Sequence, residues 1–138
     1  MVTDPLVESG TVTDRYQDIN RAANCPNLTL GAPAVLAHPS LGGAQIYFRD
    51  TDGHIVQFYQ TQGAWKYADL TALVGAGKAE FDPAVVMHEG RPAVCYCGEG
   101  QAHALAWDGK TWRYTNLSKA CPDTRVRVAR GTPAVTTD

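Results

Sequence analysis

The stretch Gly43–Thr71, GAQIYFRDTDGHIVQFYQTQGAWKYADLT, decides the fold. Ile46 and Phe48, then Ile55, Gln57 and Tyr59, alternate with unlike neighbours, the period of a pleated strand with two different faces. Between them Asp50-Thr51-Asp52-Gly53 reads as a hairpin turn, with Gly53 free to take the positive φ such turns need. Gln62-Gly63 breaks the next pair, and Trp65-Lys66-Tyr67-Ala68-Asp69-Leu70 supplies an aromatic third strand.

Outward from this stretch the chain repeats itself. Gly31-Ala32-Pro33-Ala34-Val35, Phe81-Asp82-Pro83-Ala84-Val85 and Gly131-Thr132-Pro133-Ala134-Val135 recur with their prolines 50 residues apart. A second signature alternates with the first. Arg15-Tyr16-Gln17-Asp18-Ile19-Asn20 corresponds to Lys66-Tyr67-Ala68-Asp69-Leu70-Thr71, and both to Arg113-Tyr114-Thr115-Asn116-Leu117-Ser118. Each complete unit predicts four strands, at about 33–38, 44–49, 54–60 and 65–70 and again at about 83–88, 92–97, 102–107 and 111–117. Four short strands per repeat of this length predict an all-β chain of β-propeller blades. Blades are expected over about 33–70 and 83–117 of a single domain, with a third split between 133–138 and 1–19. Propellers take four to eight blades, so the ring is expected to be completed by oligomerisation, as a homodimer of six blades, or the chain to be part of a longer array. A head-to-tail contact that closes makes a ring.

Composition narrows the function. A formal charge of −2 argues against generic nucleic-acid binding, although residues 110–130 hold six basic side chains and one acid. No window is apolar enough for a membrane span. The N-terminus, MVTDPLVESGTVTD, lacks a basic start followed by an apolar run, so no secretory signal is expected, and secreted and cytoplasmic locations both stay open. Cys25, Cys95, Cys97 and Cys121 contain no CxxC pair, which argues against a zinc site; buried free thiols are expected, with disulfides of unspecified connectivity as the alternative. No nucleophile–base pair or carboxylate pair is signalled, so no enzyme, catalytic residue or cofactor is expected. Asp50–Gly53 fails as a calcium loop because Phe48 and Tyr59 would stand at ligand positions. His38, His88 and Asp138 each lie five residues after the repeated proline, but blade-equivalent positions stand apart in a ring, and no metal is expected. Asp108-Gly109-Lys110-Thr111 is a hairpin turn, without the glycine spacing of a phosphate loop.

The run IYFRDTDGHIVQFYQTQGAWKYADLTALVGA (46–76) resembles the repeats of bacterial lectin-like β-propellers, akin to the fucose-specific and tectonin-type lectins. The second unit, VCYCGEGQAHALAWDGKTWRYTNLS (94–118), resembles them less closely. The resemblance implies non-enzymatic binding of glycans or small sugars between blades, each sugar held by an arginine, an acid and an aromatic ring. Here the acid position holds Gln57, or Ala104 in the second copy. Arg49 meets Tyr96 when the copies are aligned on Gly53 and Gly100. The implied sugar-binding set is Arg49, Gln57, Tyr59 and Trp65, joined by Trp107 or Trp112 from the neighbouring blade. The alternative is a structural or protein-interaction ring whose sugar sites have decayed.

Overall fold

A computed structural model describes residues 17–120 and 131–133. Within them the chain is mostly β, as expected, and forms two four-stranded antiparallel sheets, each a meander of sequential strands. The first contains β1 (Thr29–Leu36), β2 (Gln45–Asp50), β3 (Ile55–Thr61) and β4 (Ala64–Asp69). The second contains β5 (Ala84–His88), β6 (Arg91–Gly98), β7 (Gln101–Trp107) and β8 (Trp112–Asn116). Neither sheet closes on itself. The split unit at 1–19 and 133–138 lies almost wholly outside the described residues, as do Cys121 and Asp138.

Turn chemistry sets the register. Gln62-Gly63, Glu89-Gly90 and Glu99-Gly100 each hold positive φ at both residues. That is the two-residue turn whose twist matches the flanking strands. The β2–β3 connection is one residue longer, Thr51–Gly53, with Gly53 N–H donating to Asp50 O at 3.1 Å. This difference corrects the alignment of the two copies. Arg49 pairs with Ile55, and Cys97 pairs with Ala102. Ile55 and Ala102 are equivalent, since each donates its backbone N–H to the hydroxyl that follows its sheet, Thr71 at 2.8 Å and Ser118 at 2.9 Å. The counterpart of Arg49 is therefore Cys97, not Tyr96.

Two further boundaries differ from the expected ones. The fourth strands stop at Asp69 and Asn116 rather than running on, because these residues cap single helical turns, α2 (Leu70–Val74) and α3 (Leu117–Ala120). Asp69 accepts from Ala72 N–H and Asn116 from Lys119 N–H, both at 3.0 Å. Asp18 does the same for Arg21 N–H at the head of α1 (Ile19–Ala22). The repeated Asp/Asn is thus an N-cap, short and polar enough to satisfy an orphan amide. β1 begins at Thr29, four residues early, and its ladder is interrupted between Leu30 and Ala34. Pro33 sits in that irregularity, where no N–H is required of it.

The sheets pack face to face, with β1 beside β5 and α2 against β8. Tyr47, Ile55 and Leu70 meet Val94, Tyr96, Leu105 and Trp112 in a shared core. Burying each such side chain contributes roughly 1.5–3 kcal/mol. The outer face of the first sheet carries Phe48, Val56 and Phe58, covered by Ile19 and Ala23 from the α1 segment. On the face of β7 turned to the first sheet, His103 lies between Tyr96 and Tyr114, with ring centroids 4.9 and 5.8 Å away. Its Nε2 donates to Gly98 O at 3.0 Å and its Nδ1 lies 2.7 Å from Tyr114 OH, so both ring nitrogens are partnered within the second sheet.

Asp108 holds the β7–β8 turn. Its carboxylate accepts from Thr111 N–H at 2.9 Å, from Arg113 Nε at 2.8 Å and from Lys110 N–H at 2.8 Å. These bonds, led by that from Thr111, lower its pKa to about 2 from 3.8. A carboxyl depressed on folding contributes stability that is present above its unfolded value and lost as pH falls through its folded value. Asp108→Asn should therefore lose stability against the wild type near neutrality, with the gap narrowing between about pH 4 and pH 2. Urea titrations at two pH values check this, and a gap constant across that window would refute it.

Candidate functional site

The register places the expected site residues on different faces. Tyr47, Gln57 and Ala68 are aligned across β2, β3 and β4, so Gln45, Arg49, Ile55 and Tyr59 share their face, which looks toward the second sheet. Trp65 pairs with Gln60 and lies on the opposite face. There it packs beside the Phe48–Val56–Phe58 cluster and donates its indole N–H to Gln17 Oε1 at 3.2 Å. In the second sheet Trp107 and Trp112 are direct cross-strand partners on the face turned to the first sheet. Gln57, Tyr59, Trp107 and Trp112 thus converge. Trp65 does not join them.

The convergence forms a cleft of about 410 Å³ between the sheets. Gln45, Gln57 and Tyr59 line one side, Pro92, Trp107 and Trp112 the other, and Leu41 and Leu73 also border it. Among the described residues, no ionisable carboxylate or basic side chain lines it. Trp112 stands edge-on to Tyr47 with centroids 6.2 Å apart, and tilts against Trp107 at 5.7 Å. These contacts fix the indole planes that the cleft presents.

A polar triad underlies the cleft. Tyr47 OH donates to Gln45 Oε1 at 2.5 Å, and Gln57 Nε2 donates to Gln45 Oε1 and to Tyr47 OH, each at 3.1 Å. Burial pushes the Tyr47 phenol far above its ordinary pKa, against the smaller opposing effect of the Gln57 hydrogen bond. Tyr47 therefore remains a neutral donor. Gln57 is only 6% exposed, and the triad holds its amide in one orientation. Sequence reading missed Gln45, although it pairs with Leu36 and sits two residues from Tyr47 on the same face.

Arg49 lies outside the cleft. Its guanidinium Nε donates to Asp82 Oδ1 at 3.0 Å, joining the first sheet to the segment that leads into β5. A Cβ at Gly31 would stand 2.1 Å from that same Asp82 oxygen, so glycine is what lets the pair form. The thiols of Cys25, Cys95 and Cys97 are free, and burial raises all three. Such thiols are poor nucleophiles and are suited to packing. His38 accepts from Ser40 N–H at 3.2 Å, a local cap. His88 lies 3.9 Å from Glu89 at the end of β5.

Among the described residues, no helix is long and apolar enough to cross a membrane. No protein-family model matches the chain, and comparison with curated proteins and with solved structures finds no match either.

Proposed function

We propose that this protein is a non-enzymatic carbohydrate-binding protein of the lectin-like β-propeller type, its two sheets being adjacent blades and its sugar site the cleft between them. The observation that carries this reading is the composition of the cleft walls: two indoles and a phenol with oriented amides, and no charged side chain among the described residues. A sugar ring stacks its C–H face on an indole, and amides address its hydroxyls without the desolvation that a buried charge would require. In this reading Trp107 and Trp112 form the platform, Gln45 and Gln57 orient the hydroxyls, and Tyr59 borders the opening. Arg49 and Trp65 act in structure rather than recognition. Copies of the chain assemble head to tail into a ring, so that weak single sites act together and the second attachment becomes effectively intramolecular.

Calorimetric titration with a monosaccharide panel, after a glycan array, tests the reading. Tyr59→Ala and Trp107→Ala should each weaken binding by about tenfold or more, consistent with one stacking contact of 0.5–1.5 kcal/mol plus lost burial. Arg49→Ala should leave affinity within about twofold, since a residue outside the cleft has no direct term to lose. No binding at high millimolar sugar would sink the proposal.

One observation favours a second reading, a structural or protein-interaction ring. The Gln57 amide already has partners inside its own sheet. Under that reading a discrete oligomer forms in solution, as native mass spectrometry would record, with no sugar affinity at any concentration.

A further inference from the structure

At the opposite end of β2 and β3 from the cleft, a second group of side chains converges. Asp50 closes β2, His54 faces it across the hairpin and Asp69 ends β4. One ligand atom from each lies within 4.8 Å of the other two. Each carboxylate is already oriented by the backbone through one oxygen. Asp50 Oδ1 accepts from the N–H groups of Asp52 and His54, both at 2.9 Å, and Asp69 Oδ1 accepts from Ala72 N–H at 3.0 Å. The second oxygens turn to a common point. Asp69 Oδ2 lies 2.8 Å from His54 Nδ1, and Asn27 Nδ2 reaches Asp50 Oδ2 at 2.7 Å and Asp69 Oδ2 at 3.3 Å.

Charge makes this corner unusual. Asp50 is 2% exposed, and among the described residues no lysine or arginine pairs with it or with Asp69. Two carboxylates brought together in low dielectric repel unless a cation offsets them. The fold itself does not require that charge. The equivalent corner of the second sheet holds Gly98, Gln101 and Asn116, where Asn116 donates to Gln101 Oε1 and caps α3. A neutral amide pair performs the same local structural task there.

We infer that Asp50, His54 and Asp69 form a binding site for a divalent transition metal of the zinc type. Imidazole selects first-row metals over magnesium and calcium, and two carboxylates complete a borderline donor set. Tetrahedral zinc with bonds near 2.1 Å holds its donors about 3.4 Å apart, so the widest spacing here closes by a modest side-chain rotation. Backbone N–H groups on the outer carboxylate oxygens are the supporting bonds such ligands need. Asn27 supplies a fourth donor by turning its amide oxygen inward, an exchange of near-isosteric atoms. The metal takes the place of a proton on His54 and neutralises both carboxylates. It thereby ties the loop before β1 to the β2–β3 turn and the β4–α2 corner. This site is independent of the sugar cleft and of its reading.

Zinc titration of the reduced, chelator-stripped protein tests the inference, by calorimetry and by thermal unfolding. One zinc per chain and a melting temperature that rises with metal are expected. His54→Gln combined with Asp69→Asn copies the neutral pair of the second sheet, so it should fold while binding zinc at least about tenfold more weakly. Absence of heat and of any thermal shift up to millimolar zinc would overturn the inference, and so would unchanged affinity in the double variant. Cobalt(II) in the wild type supplies a readout that needs no variant. A tetrahedral visible spectrum without thiolate charge transfer agrees with the site, whereas a thiolate band assigns the metal to the cysteines and overturns it.

Discussion

Replacing Trp112 by alanine should cost about 3–5 kcal/mol of folding stability. Trp112 is 8% exposed and is the side chain of β8 that enters the core shared by both sheets. Its ring makes a T-shaped contact with Tyr47 in the first sheet and tilts against Trp107 in its own. Truncation removes both aromatic contacts, each about 0.5–1.5 kcal/mol beyond area burial. It also leaves a void beside residues that β-sheet backbone holds in place and that cannot collapse into it. Trp65→Ala supplies the comparison. It occupies the equivalent repeat position, but it borders the outer cluster and stays partly exposed, so its loss should be nearer 1–2 kcal/mol. Urea titration of both variants decides the matter. Equal losses would mean that Trp112 is not the contact through which the sheets are joined.

Gly98→Ala should be as damaging, by about 3 kcal/mol or more, for the opposite reason. A Cβ at Gly98 would lie 1.9 Å from the carbonyl oxygen of Lys78 and 3.0 Å from Ala79 Cα. Both are backbone atoms that cannot rotate aside. The 78–80 segment is held there from both sheets, by Ala79 N–H on Gly53 O at 2.7 Å and Glu80 N–H on Cys97 O at 3.0 Å. Accommodating one methyl means moving that segment and stretching these bonds, which link the turn of the first sheet to the end of β6. Gly100→Ala separates crowding from backbone preference. Gly100 has φ of 71° and open space around a would-be Cβ, so it should cost only the left-handed penalty of about 1–2 kcal/mol. Hydrogen exchange at the Glu80 amide should accelerate in Gly98→Ala and stay unchanged in Gly100→Ala.

Much of the local structure was legible in the residues. Alternation of Ile46, Phe48, Ile55, Gln57 and Tyr59 marked β2 and β3, and the X-Gly dipeptides marked their turns, because side chains on a pleated strand alternate and only certain residues tolerate positive φ. The repeated Asp/Asn-Leu/Ile signature was visible too. Its meaning as a helix cap was not, since a four- or five-residue helix has no periodicity of its own to detect.

The candidate site was only partly legible. The two-residue turn Gln62-Gly63 pairs Thr61 with Ala64, and counting back from it places Trp65 opposite Gln60 and away from Gln57. That signal was available in the sequence. The position of Arg49 was harder to read, because the β2–β3 turn is one residue longer than its counterpart and a single insertion exchanges the faces of every residue on one side. The approach of Trp107 and Trp112 to Gln57 and Tyr59 had no local signal, because it depends on how one sheet lies against the next.

The amino-acid sequence alone determined the sheets: their number among the described residues, their meander order and the turns that set each strand against its neighbour. Those features arise from contacts a few residues apart, where alternation and turn chemistry act directly. The tertiary structure decided which faces meet, and so that Arg49 pairs with Asp82, that an aromatic and amide-lined cleft opens between the sheets, and that Asp50, His54 and Asp69 share one corner. Packing of one sheet on another is chosen by the shape and hydration of whole faces, and no short stretch of chain encodes it.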